Sequence, residues 1–164
     1  MMLLKKIIGL LNKIFWMKSA ILLKCAGASI GDSVKRNSWV LNQSILSNLK
    51  IWNNVWFGAW NIVNALNGIE IGNDVVISDY CCFVSTDHES KDLWIPIINQ
   101  GYTIGEDQKI IISDWVWIGF NVVVTKWVKV GKNAIIWAGS VVTRNVPENA
   151  IAVWVPAKVI WFRS

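Results

Sequence analysis

The sequence is poor in histidine, cysteine and charge. One histidine and three cysteines occur in 164 residues. Three thiols in a chain of this length make no disulfide framework, so the fold must rest on a buried core. No uninterrupted apolar run approaches about 18 residues, which argues against a membrane-crossing helix. Charged residues amount to only 16% and hydrophobic ones to 54%, a balance that excludes a disordered chain. The length fits one domain with a sizeable core.

Acidic residues are absent from residues 1–24, which carry Lys5, Lys6, Lys13, Lys18 and Lys24. The remaining 11 basic and 11 acidic residues cancel, so the net charge of +5 belongs to this segment. A neutral body gives no basic field for nucleic acid, and nucleic acid is not expected as a partner. Within the segment, Leu3, Leu4, Ile7, Ile8, Leu11, Ile14 and Phe15 recur at spacings of three and four, the mark of an amphipathic helix. Two readings stay open: a helix packed on the end of the domain, or one lying on an anionic membrane surface. Asn12 and Lys13 interrupt the apolar stretch and disfavour a cleaved signal peptide. The expected organisation is a helix over 1–24 and a second unit over 25–164. The expected location is cytoplasmic, with peripheral contact at the inner membrane face through residues 1–24.

Beyond residue 30 the apolar period is six. Ile112, Ile118, Val124, Val130, Ile136 and Val142 form one series. Ile110, Val116, Val122, Val128, Ala134, Ser140 and Val146 form a companion two residues earlier. Upstream the frame runs Ile45, Ile51, Phe57 and Val63, shifts by two, and resumes at Ile71, Ile77 and Phe83 with companions Ile69, Val75 and Cys81. A fixed period marks a repeat architecture. Two inward residues in six make one short strand and one corner, and three strands make a triangular coil of about 18 residues whose stacking buries the aliphatic ladder. Corners require small residues and left-handed backbone, which Gly31-Asp32, Gly72-Asn73-Asp74, Gly105-Glu106-Asp107 and Gly131-Lys132-Asn133 supply. Residues 84–103 break the frame, and a long loop leaving a regular solenoid tends to carry function.

These segments resemble the hexapeptide-repeat acyltransferases. The resemblance rests on Ile51 to Val55, on Ile71 to Ile77, and above all on Asp114-Trp115-Val116-Trp117-Ile118-Gly119 through Ala138-Gly139-Ser140-Val141-Val142-Thr143. Val155-Pro156-Ala157-Lys158-Val159-Ile160 is similar to that family's terminal signature. It covers roughly residues 25–162 and is nearest to the sugar O-acetyltransferases of the galactoside, maltose and exopolysaccharide type. It implies a left-handed parallel β-helix of hexapeptide repeats with an N-terminal helix and an excursion loop at about 84–103. It also implies a homotrimer, acetyl-CoA as acyl donor without a metal, and a sugar or polysaccharide-precursor acceptor.

The resemblance makes the tryptophans conspicuous: there are twelve, against eleven glycines. Trp52 follows Ile51 as Gly72 follows Ile71, and Trp137 follows Ile136 as Gly119 follows Ile118. Trp127 and Trp154 stand where the family pattern places glycine. Trp16, Trp39, Trp60, Trp94, Trp115 and Trp161 fit turn glycines less firmly. Only Trp56 and Trp117 look natural, and Trp117 matches a family tryptophan. The expectation is that the other ten are glycine codons read as tryptophan, since UGA has both meanings among bacterial codes.

His88 lies in Ser85-Thr86-Asp87-His88, which resembles the family's catalytic-histidine loop. Imidazole titrates near neutrality and suits a base that takes a proton from a hydroxyl. Asp87 is a candidate to orient the His88 ring, with Glu89 a weaker one. A lone histidine sets aside the three-histidine zinc site of the γ-class carbonic anhydrases on this fold, and all three cysteines read as reduced and structural. By resemblance, Trp117 and Gly119 line the thioester site and the Phe120 N–H meets the oxyanion. Ala138, Thr143 and Arg144 line the coenzyme groove, and Lys158 meets phosphate charge. The rival readings are a membrane-apposed β-helix scaffold without catalysis, and an acyltransferase using another acyl-CoA.

Overall fold

A computed structural model describes residues 28–32, 35–36 and 46–164. The expected helix over 1–24, Ile45, Trp16 and Trp39 lie outside the described residues. Three parallel sheets form the sides of a triangular prism. The first contains β1 (Ser29–Ile30), β3 (Leu49–Ile51), β6 (Ile69–Ile71), β9 (Ile110–Ile112) and β12 (Lys129–Val130). The second contains β2 (Lys35–Arg36), β4 (Trp56–Phe57), β7 (Val76–Ile77), β10 (Trp117–Ile118), β13 (Ile135–Ile136) and β15 (Ala150–Val153). The third contains β5 (Ile62–Asn64), β8 (Cys82–Val84), β11 (Val123–Thr125) and β14 (Val141–Val142). The last strand, β16 (Lys158–Phe162), turns back antiparallel on β15 and ends the stack.

The inward series of the sequence is the core of the prism. Ile110, Ile112, Val116, Ile118, Val122, Val124, Val128, Val130, Ala134, Ile136 and Val142 are all buried, and so is Ser140. Upstream, Ile51, Phe57, Val63, Ile69, Ile71, Val75, Ile77, Cys81 and Phe83 continue the ladder. Each rung pairs with the rung one coil on: Glu70 faces Ile111, and Ile111 faces Lys129.

The two-residue frame shift has a structural cause. Lys50 pairs with Glu70 across a coil of twenty residues, against eighteen for Ile111 to Lys129. The surplus sits at the corner between β5 and β6, where Ala65 and Asn67 turn inward. The next coil leaves the prism at the same corner, between β8 and β9, and makes the excursion. Its stem is a short antiparallel ladder: His88 bridges Tyr102, the Glu89 N–H donates to the Gly101 carbonyl at 3.0 Å, and the Thr103 N–H to that of Asp87 at 2.8 Å.

The corners are left-handed, as the spacing predicts. Asn54, Asp74, Asn133 and Asn149 take φ between 55° and 61° in one column, where a polar side chain tolerates this conformation. Trp60, Trp115, Trp127 and Trp154 share it, at φ 59°, 63°, 56° and 81°.

Candidate functional site

The sole histidine stands on the excursion stem, exposed, with its ring centroid 4.5 Å from that of Tyr102. Both legs of the stem are anchored to the prism. Asn67 Nδ2 donates to the carbonyls of Ser85 and Thr103 at 2.7 and 2.8 Å, and Oδ1 accepts the Gly105 N–H at 3.1 Å. From the following coil, Lys126 Nζ donates to Thr103 Oγ1 at 3.2 Å and lies 3.9 Å from Asp87 Oδ2.

Asp87 is engaged differently from the expectation. Its Oδ1 accepts the backbone N–H of His88 at 3.2 Å while Oδ2 faces Lys126, so the carboxylate caps the turn and pairs with a cation rather than reaching the imidazole. Glu89 pairs with Lys91 at 3.8 Å. Lys126 thus lies against Asp87, the residue that precedes His88.

The expected donor-site residues gather elsewhere. Trp117 points outward from β10, Gly119 and Phe120 form the corner between the second and third sheets, and Ala138 with Gly139 forms the same corner one coil on. The Phe120 ring lies tilted against that of Tyr80, centroids 5.5 Å apart, and Trp117 likewise against Trp137 at 6.3 Å. A Cβ on Gly119 would stand 2.6 Å from the Ala138 nitrogen, so the close passage of the two coils requires glycine there. Beside this corner opens a groove of about 710 Å³ lined by Ala138, Gly139, Val153, Val155 and Ile160, with Trp137, Trp154 and Trp161 as walls.

Thr143 and Arg144 follow β14 at the opposite edge of the third sheet, the edge from which the His88 loop departs. Lys158 opens β16, exposed. The structure therefore parts the expected residues between two edges of one sheet. The sheet's strands span up to three residues, roughly 10 Å, and His88 projects from the edge away from Ala138.

Cys81 fills an inward slot of the core, and burial pushes its thiol up to about 11. Cys82, half-buried, is raised for the same reason. Neither is free to act as a nucleophile near neutrality. Sequence reasoning missed Asn67, Lys126 and Tyr102. The frame shift between Val63 and Ile71 was the signal for Asn67; nothing in the repeat pattern singled out the other two.

Comparison with known proteins bears on the family and the fold. Residues 109–144 match the family model described as bacterial transferase hexapeptide (six repeats). The chain is 32% identical over 149 residues to the galactoside O-acetyltransferase of Escherichia coli (strain K12), spanning 87% of this chain and 68% of that protein. It is 32% identical over 112 residues to an acetyltransferase of Mycobacterium tuberculosis, where the match spans 68% of this chain but 36% of the relative. A solved galactoside acetyltransferase in complex with coenzyme A superposes with a TM-score of 0.72 at 28% identity, covering 89% of this chain and 70% of that one.

Proposed function

Because this chain belongs to the hexapeptide-repeat acyltransferases, of left-handed β-helix fold, we propose that it moves an acetyl group from acetyl-CoA to a sugar hydroxyl with His88 as general base. The observation that carries the reading is the placement of the single histidine. It stands on an anchored loop at one edge of a sheet whose other edge holds an apolar groove. The relatives support the substrates: one is named for galactoside O-acetylation, and a solved neighbour holds coenzyme A.

The chemistry follows from the groups present. The His88 imidazole takes the proton of the acceptor hydroxyl, and the oxygen attacks the thioester carbonyl. The tetrahedral oxyanion is met by the Phe120 N–H. Collapse expels the coenzyme A thiolate, and the imidazolium returns the proton to it. Ala138 and Gly139 face the pantetheine arm from the groove and Thr143 from the His88 edge, and Arg144 and Lys158 meet the phosphates as cations. Trp117 flanks the thioester. Since one chain holds two half-sites, the working unit is a trimer in which His88 of one copy meets the groove of the next. Residues 1–24, with five lysines and no acid, lay this trimer on an anionic membrane face; vesicle co-sedimentation lost on deleting them checks that part.

The test is His88→Ala. The variant keeps its acetyl-CoA thermal shift and loses acetyl transfer to the best acceptor of a sugar panel by about 10²–10⁴-fold, the range for a general base. Turnover at the parent rate refutes His88 as the base, and a series of longer acyl-CoA donors reads the acyl preference.

A further inference from the structure

Six tryptophans occupy positions that the coil elsewhere gives to smaller residues. Trp115 stands in a corner column with Asn54, Asp74, Asn133 and Asn149, linked by equivalent backbone hydrogen bonds. Trp60 heads a second column that continues through Tyr80, Asn121 and Gly139. Trp127 and Trp154 are also left-handed. Trp52 repeats the hydrogen bond of Gly31, Gly72, Ser113 and Gly131, and Trp137 that of Gly58, Ser78 and Gly119. A Cβ at Gly31, Gly58, Gly72, Gly119 or Gly131 would lie 2.5–2.7 Å from backbone atoms of the next coil. Tyr80 shows that the fold bears one bulky left-handed residue. A left-handed backbone strains a bulky L-residue and does not strain glycine, and four indoles carry it here.

We propose that Trp52, Trp60, Trp115, Trp127, Trp137 and Trp154 are glycine in the protein the cell makes, encoded by UGA. Trp56 and Trp117 are different: they point outward from β4 and β10, where an aromatic residue suits the pleat, and are tryptophan encoded by UGG. Trp94, on the excursion, and Trp161, in β16, have no such neighbours to judge by. The consequence is functional, because Trp137 and Trp154 wall the groove beside Ala138. Glycine at both removes two of the three indole walls and widens access for a pantetheine arm. Peptide mass spectrometry of the protein from its own cells decides the matter, independently of any activity. Trypsin releases residues 110–126 as one peptide holding both Trp115 and Trp117. The expected peptide has glycine at the first position and tryptophan at the second. Tryptophan at both, or a UGG codon at Trp115 or Trp127, overturns the proposal.

A separate observation concerns the loop stem, and it rests on the reading of His88 as base. Asn67 is 8% exposed and ties residues 85, 103 and 105, one leg to the other, in the two-residue surplus that no regular coil needs. Lys126, its side chain 14% exposed, ties Asp87 to Thr103 from the other side. The geometry points to Asn67 and Lys126 as positioning residues that hold the His88 stem. Asn67→Ala and Lys126→Met are the variants. Amide hydrogen exchange across residues 85–105 accelerates in both while exchange in β10–β13 stays at the parent rate. With the panel's best acceptor, kcat falls about tenfold to a hundredfold, the cost of a misplacement of about 1 Å, and KM for acetyl-CoA stays within twofold. Unchanged loop exchange in both variants, or faster exchange with kcat unaltered, overturns the clasp. If His88→Ala keeps full turnover, the base assignment fails on its own, and the exchange result still reports on the clasp.

Discussion

At the residue scale, the buried thiol gives a prediction with a definite sign. Burial raises the Cys81 thiol from 9.0 to about 11. The unfolded chain therefore loses this proton first, and the contribution is fully present below about pH 9 and erodes as pH rises toward 11. Cys81→Ala should flatten the fall in Tm between these limits relative to the parent, and an unchanged slope would contradict it. Native protein at pH 7.5 should resist iodoacetamide at Cys81 until it is unfolded. Glu70 is the opposite case. The hydrogen bond from Lys109 Nζ, 3.1 Å from Oε1, holds its carboxyl below the usual range, with Lys50 at 3.4 Å assisting. The stability it adds is present above the ordinary carboxylate pKa of about 4.3 and is lost as pH falls through the depressed value. Glu70→Gln should lower Tm at pH 7 by an amount that shrinks as the pH falls through the depressed value of the Glu70 carboxyl.

At the element scale, the rung is the unit of stability. Each two- or three-residue strand would be marginal alone and is held by its neighbours above and below. Ile118, in the middle of the second sheet, is fully buried and pairs with both Ile77 and Ile136. Ile118→Ala should cost about 2–5 kcal/mol, a fall of roughly 4–20 °C in Tm for a chain of this size, measurable by calorimetry. The rungs were legible because an interior position must be aliphatic and the period is fixed. The excursion was legible because its polar run breaks that period. The clasp was less so: Asn67 reads as one more corner asparagine until the surplus of two residues in its coil is noticed. Adjacency in sequence says nothing about where a carboxylate points: Asp87 accepts the His88 backbone N–H, and its other oxygen lies 3.9 Å from Lys126 Nζ. The tryptophan corners were visible as anomalies of spacing, and the left-handed φ at four of them gives the anomaly its physical content.

At the scale of the whole molecule, the proposed function makes catalysis a property of an assembly in which His88 of one copy meets the Ala138 groove of the next. Two inactive chains with complementary lesions should then rescue each other. His88→Ala removes the base and leaves the groove; Ala138→Trp, at an exposed corner, blocks the groove and leaves the base. Neither homotrimer should transfer acetyl to the panel's best acceptor. After the two are unfolded together and refolded as mixed trimers, sites that pair an intact histidine with an intact groove should restore a substantial fraction of parent turnover. Mixed trimers as inactive as either parent variant would contradict a site shared between copies of this chain.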